Sequence, residues 1–80
     1  MFVAYALYSA AFDKLYIGFT SDLISRFHSH NSLANSGYTV RYRPWKVIHV
    51  EFFETKVEAM KREKELKSSR GRQFLRQIVK

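Results

Sequence analysis

Five polar residues stand where packing alone would not place them. Tyr5 and Tyr16 lie on two short strand-like runs, Arg26 and His30 follow one helical turn apart, and Glu63 falls inside the apolar arc of a later helix. A phenol can order a water or bind a phosphate oxygen. It acts as a base only with help from a cation or a metal-bound water, because its free pKa is ~10. A guanidinium forks onto a phosphate. An imidazole donates to phosphate or relays a proton. A semi-buried carboxylate can hold a divalent ion. Together these groups are a kit for hydrolysing a phosphodiester with one metal ion.

Each residue also has a plainer reading. Glu63 could pair with an arginine at the core edge, or lie at the margin of its arc, since a carboxylate is rarely buried without a partner. The tyrosines could be core or edge aromatics. Arg26 could pair with Asp22, an exposed interaction worth little. His28 and His30, two apart, do not share a helix face, so they are not a zinc pair. His49, in the middle of a strand-like run, suits a structural role, and Trp45, Phe27, Phe52, Phe53 and Phe74 suit the core.

The elements must bring these residues together. Phe2–Tyr8 is apolar and uncharged and reads as a strand, and Lys14–Phe19 alternates as a second strand, with a turn over Ser9–Asp13. A hairpin centred near Ala10–Ala11 would set Tyr5 opposite Tyr16, with both hydroxyls on one face. Thr20 or Ser21 can cap a helix running to about Ser29–Asn31, which stacks Asp22, Arg26 and His30. Asn31–Tyr38 is a polar loop with Gly37 near its end, Pro44 bars a helix, and Trp45–Phe53 reads as a third strand. Thr55-Lys56-Val57-Glu58 is a capping box opening a helix to about Ser68 or Ser69. At about 100° per residue, Ala59, Met60, Glu63 and Leu66 share one arc of it. Arg70-Gly71 breaks this helix, and Gln73–Val79 forms a short last one. The order β-β-α-β-α-α predicts an α+β fold, a small antiparallel sheet flanked by helices.

Composition narrows the partners. Eighty residues make one domain, and with 46% apolar residues the chain can build a core rather than stay disordered. The absence of cysteine excludes disulfide staples and thiolate metal sites, and fits a reducing, cytoplasmic setting. No charged leader precedes a long apolar run and no run is long enough to span a bilayer, so a membrane partner is not expected. Nine of the lysines and arginines fall in 55–80 against three acids, so most of the +7 net charge lies there. One-sided basic charge favours an anionic partner such as nucleic acid, and Lys67, Arg70 and Arg72 around Gly71 could meet a phosphate backbone.

In order and spacing, these residues resemble a GIY-YIG nuclease domain of the small stand-alone type, similar to the N-terminal module of the excision-repair endonuclease. Val3-Ala4-Tyr5 stands at the first motif and Tyr16-Ile17-Gly18 is the second motif intact. Arg26 and His30 have the family's helix spacing, and Glu58-Ala59-Met60-Lys61-Arg62-Glu63 looks like its later helix. Arg43-Pro44-Trp45-Lys46 and Leu66-Lys67-Ser68 look like further signatures of the small members. The resemblance covers nearly the whole chain and implies a three-stranded antiparallel sheet flanked by helices. It implies a DNA endonuclease with one divalent ion, Mg²⁺ or Mn²⁺, on Glu63, possessing Arg26 as phosphate neutraliser, Tyr5 or Tyr16 as orienter or base, and His30 assisting. The first motif lacks its Gly and Ile, Phe19-Thr20 stands where some members carry lysine, and no asparagine occurs in 68–80. The competing class is a non-catalytic nucleic-acid-binding module on the same fold, and a plainer one is a protein-interaction domain. A module this small makes few contacts, so a protein partner or homodimer could supply targeting.

Overall fold

The computed structural model describes residues 1–28, 30–31 and 38–79. Three strands, β1 (Phe2–Ser9), β2 (Lys14–Thr20) and β3 (Lys46–Phe53), form an antiparallel sheet in the order β2-β1-β3. Among the described residues the helices α1 (Leu23–His28), α2 (Tyr38–Arg41), α3 (Lys56–Lys67) and α4 (Ser69–Ile78) accompany it. The α+β fold and element order match the expectation, with the single turn α2 added ahead of β3. Residues 32–37, which hold most of the expected polar loop and Gly37, lie outside the described residues, as does residue 29 at the expected end of α1.

The uncharged run of β1 belongs in the centre because both its faces are covered. Ala4 and Ala6, with Leu15 and Ile17 of β2, pack against Leu66 of α3 and Leu75 of α4. On the opposite face Val3, Tyr5 and Leu7 pack with Trp45, and Tyr16, Leu23, Phe27, Tyr42 and Val50 close around them. Small residues on the helix side let α3 and α4 approach the sheet, while the other side is built largely from aromatic rings, those of the tyrosines carrying hydroxyls. Phe52 and Phe74, expected in the core, are exposed, as is Met60 of the arc shared with Glu63. The cause is the edge position of β3 and a sheet too narrow to cover both flanks of α3 and α4.

The β1–β2 turn corrects the register. Ser9 pairs with Lys14, so Tyr5 faces Gly18 and Tyr16 faces Leu7. The offset from the expected pairing is two residues, and a slip of two keeps every side chain on its face. Asp13 supplies the left-handed residue (φ 54°) that glycine or asparagine usually provides. Its carboxylate accepts from the Tyr8 hydroxyl at 2.8 Å and from Arg76, which ties α4 to the turn.

Asp22, rather than Thr20 or Ser21, caps α1: its Oδ1 accepts from the Ser25 amide at 3.1 Å. The capping box of α3 forms as expected, with Glu58 N–H donating to Thr55 Oγ1 at 3.3 Å and Thr55 N–H to Glu58 Oε1 at 3.2 Å. Gly71 does not break a helix. It lies in the first turn of α4, after Ser68 has both closed α3 and capped α4 through its Oγ, which accepts from the Gly71 amide at 3.2 Å. A Cβ on Gly71 would meet the Glu65 carbonyl oxygen and come within 2.5 Å of Leu66 Cα. Those neighbours are backbone and cannot rotate away. Gly71→Ala is therefore expected to destabilise the fold by about 3 kcal/mol despite alanine's better helix propensity. In a domain of this size that lowers the thermal midpoint by about 10 °C or more. An unchanged midpoint in a melting experiment would show that the junction is looser than described.

Candidate active site

Three of the five residues meet on the aromatic face. The Tyr5 hydroxyl lies 3.0 Å from His30 Nε2. The Tyr16 ring sits 4.5 Å from the His30 ring and 6.3 Å from that of Tyr5, between centroids. Tyr5 reaches this point by crossing its β2 neighbour, Gly18. A Cβ on Gly18 would lie 2.8 Å from the Tyr5 hydroxyl oxygen and 2.9 Å from Cζ. The glycine two residues after Tyr16 thus makes the space that the other tyrosine fills.

His30 is held from a distance in sequence. It is only 5% exposed, unlike a typical helical histidine, and unlike its exposed neighbour His28. Arg43 Nε donates to the His30 carbonyl oxygen at 2.7 Å. Asn31 donates to the Trp45 carbonyl at 3.0 Å and accepts from the Trp45 amide at 2.6 Å, and Trp45 Nε1 donates to the Thr39 carbonyl at 2.7 Å. The run Arg43-Pro44-Trp45 is therefore the brace that turns His30 inward. Trp45 in turn lies edge-on to Tyr16, 6.3 Å between centroids.

Burial, then the charges of Arg26 and Arg43, hold His30 below the ordinary histidine value. The neutral ring uses Nε2 to accept the Tyr5 proton, an assignment that places its own N–H on Nδ1. Tyr5 is shifted upward, by burial first and Tyr16 second, with Arg26 opposing through hydrogen bonding and charge and Glu63 adding to the rise. Tyr5 is thus a neutral phenol with an acceptor in place, not a preformed phenolate. Arg26 is exposed on α1 and makes no ion pair with Asp22 among the described residues; the Asp22 carboxylate caps the helix instead. Glu63 has 19% side-chain exposure and a loose pair with Lys67 Nζ at 3.5 Å on its own helix. Its charge is felt at the Tyr5 hydroxyl.

The basic residues expected to meet nucleic acid divide. Lys67 stands beside Glu63, whereas Arg70 and Arg72 are exposed at the start of α4, where Arg72 Nε donates to the Lys67 carbonyl at 3.1 Å. Arg70 helps line a hollow of about 580 Å³ that none of the five residues borders. His49 has a structural partner: its Nε2 lies 2.7 Å from Glu51, which also accepts from Arg62 at 2.8 Å and so ties β3 to α3. No cluster of three metal-ligating side chains occurs among the described residues. A single half-buried carboxylate fits an ion such as Mg²⁺, which keeps several waters and takes its remaining oxygens from substrate phosphate.

A family model for the GIY-YIG catalytic domain matches residues 1–76. The chain belongs to the GIY-YIG family. A "UPF0213 protein" of Staphylococcus haemolyticus is 36% identical over 66 residues, covering 82% of this chain and 80% of that protein. Another from Staphylococcus aureus is 39% identical over 65 residues, covering 81% and 79%. No solved structure matches. GIY-YIG membership supports a nuclease-type function, and the motif tyrosines are the two phenols packed beside His30. Sequence reasoning missed the Asn31–Trp45 and Arg43–His30 contacts that complete this GIY-YIG pocket. Pro44 and Trp45 marked the segment, but nothing local marked what it would touch.

The pocket makes acid a threat to the fold. His30 unfolded titrates near its ordinary 6.5 and folded titrates lower. Between those values the unfolded chain binds the proton and the folded chain does not, so stability is full above pH 6.5 and falls as pH drops through the window. Thermal midpoints from pH 8 to pH 5 should fall more steeply in wild type than in His30→Gln. Equal slopes would show that His30 does not carry the effect.

Proposed function

We propose that this chain is a metal-dependent DNA endonuclease that hydrolyses phosphodiester bonds, suited to structure-guided DNA processing or repair in the cytoplasm. The observation that carries the proposal is the Tyr5 hydroxyl, hydrogen-bonded to a neutral His30 and acted on by both Arg26 and Glu63. Tyr5 would accept a proton from the attacking water as its own passes to Nε2 of His30, so no free phenolate is needed. Arg26, exposed beside this hydroxyl, would neutralise the phosphate. Tyr16 would fix the His30 ring. Glu63 would hold one divalent ion, Mg²⁺ or Mn²⁺; when bound, such an ion supplies charge stabilisation to the phosphate and leaving oxygen. Lys67, Arg70 and Arg72 would contact the backbone, giving weak, salt-sensitive binding that a protein partner or a second copy could reinforce. No helix among the described residues is long and apolar enough to cross a membrane.

The test is a nicking assay on duplex, flap and branched DNA with Mg²⁺, Mn²⁺ or chelator. Cleavage that requires the ion supports the proposal. Salt-sensitive binding with no cleavage under any metal would replace it with a binding module on the same fold.

A further inference from the structure

One exposed aromatic differs from the others in its surroundings. Phe12 sits at the tip of the β1–β2 turn, 48% exposed, with its ring 5.4 Å from that of Tyr42 at an interplanar angle of 70°. Lys14 Nζ lies 5.5 Å from the Tyr42 ring centre and Arg41 Cζ 5.7 Å. Two cations therefore engage Tyr42, and Phe12 is the ring left with open surface. A lone exposed phenylalanine needs no explanation, but one propped by a second ring that itself carries two cations has the make-up of a base-stacking site.

Its position extends the candidate active site. Tyr42 packs against the cluster of Val3, Tyr5, Leu7 and Trp45, on the sheet face that carries Tyr16. From the level of Tyr5 and Gly18 to the turn at Ser9 and Lys14 is four residues along the hairpin. At ~3.3 Å per residue that is about 13 Å, the span of three or four nucleotides of a stacked strand at ~3.4 Å each. A strand whose phosphate lies at Tyr5 and Arg26 can therefore bring a nearby base to Phe12, with Lys14 and Arg41 beside its phosphates. Within an uninterrupted duplex both faces of each base are already stacked. Only an unpaired base offers a free face to an aromatic side chain.

We propose that Phe12, supported by Tyr42 and flanked by Lys14 and Arg41, is a stacking platform for an unpaired base. The substrate class of the site is then DNA with a single-stranded extension a few nucleotides from the cut. The substrate assignment rests on the nuclease reading above; the platform itself is a binding claim and is tested without cleavage.

The experiment is fluorescence-anisotropy titration in chelator, comparing a blunt duplex with the same duplex bearing a short unpaired tail that contains 2-aminopurine. Wild type should bind the tailed DNA more tightly and quench the 2-aminopurine. Phe12→Ala should weaken tailed binding about five- to a hundredfold, the range for one lost stacking contact, and leave blunt binding unchanged. Phe12→Trp should retain the preference, and Phe12→Leu, which keeps apolar volume without an aromatic ring, should lose it while its circular dichroism spectrum stays that of wild type. Equal loss on both DNAs, or no loss on either, overturns the platform; the latter would point to a protein-docking role for the ring. The two proposals fail separately. Tail preference without cleavage under any metal rejects the nuclease reading alone, and metal-dependent cleavage unaffected by Phe12→Ala rejects the platform alone.

Discussion

Glu63→Ala is expected to lower cleavage by about 10³-fold or more while leaving the protein folded. Glu63 is a carboxylate whose charge raises the pKa of the Tyr5 hydroxyl. Its only ion pair among the described residues is with Lys67, at 3.5 Å and partly exposed, a contact worth about 0–0.5 kcal/mol. Alanine is the better helix former, so the thermal midpoint should hardly move. Two readings separate a metal role from a structural one. Wild type should be stabilised by added Mg²⁺ through binding linkage, and the variant should lose that response. Metal-free DNA binding should persist, because an acid has been removed from a basic surface. Cleavage at the wild-type rate by Glu63→Ala would reject the metal role.

Tyr5→Phe carries the second large effect. Removal of one oxygen takes away the group proposed to stand between the attacking water and His30, and cleavage should fall about 10²–10⁴-fold. The fold pays as well: His30 Nε2 remains buried without its donor, which costs about 1–3 kcal/mol. Single-turnover rates of Tyr5→Phe and Tyr16→Phe, measured above pH 7 where both variants stay folded, compare the phenols directly. The proposed proton path runs through Tyr5. A larger loss in Tyr16→Phe, with Tyr5→Phe near wild type, would reverse that assignment.

Local physics made much of the fold legible. An uncharged apolar run belongs in a sheet centre, and β1 is there. Thr55 and Glu58 announced the start of α3 because both halves of a capping box are local. The features hidden from the sequence are those that depend on a distant partner. The burial of His30 goes unmarked until Arg43 and Trp45 brace it inward. Gly71 reads as a breaker until α4 folds back so tightly that only hydrogen fits between it and Glu65. The hairpin register turned on Asp13 adopting a left-handed conformation, a choice no glycine or asparagine advertised. The exposure of Phe52 and Phe74 follows from sheet width, which no single element encodes.

The central place of β1 has a kinetic consequence. Its second neighbour is β3, and Phe2 pairs with Phe53, a contact between opposite stretches of the chain. Such long-range closures are entropically late events in folding. The segment that shuts His30 into its niche immediately precedes β3. On a ribosome, the tyrosine hairpin would emerge early, yet the His30 niche beside it would stay open until that third strand cleared the exit tunnel and docked. Under the nuclease reading proposed above, nascent fragments would stay inactive until this closure and the still later arrival of Glu63 on α3.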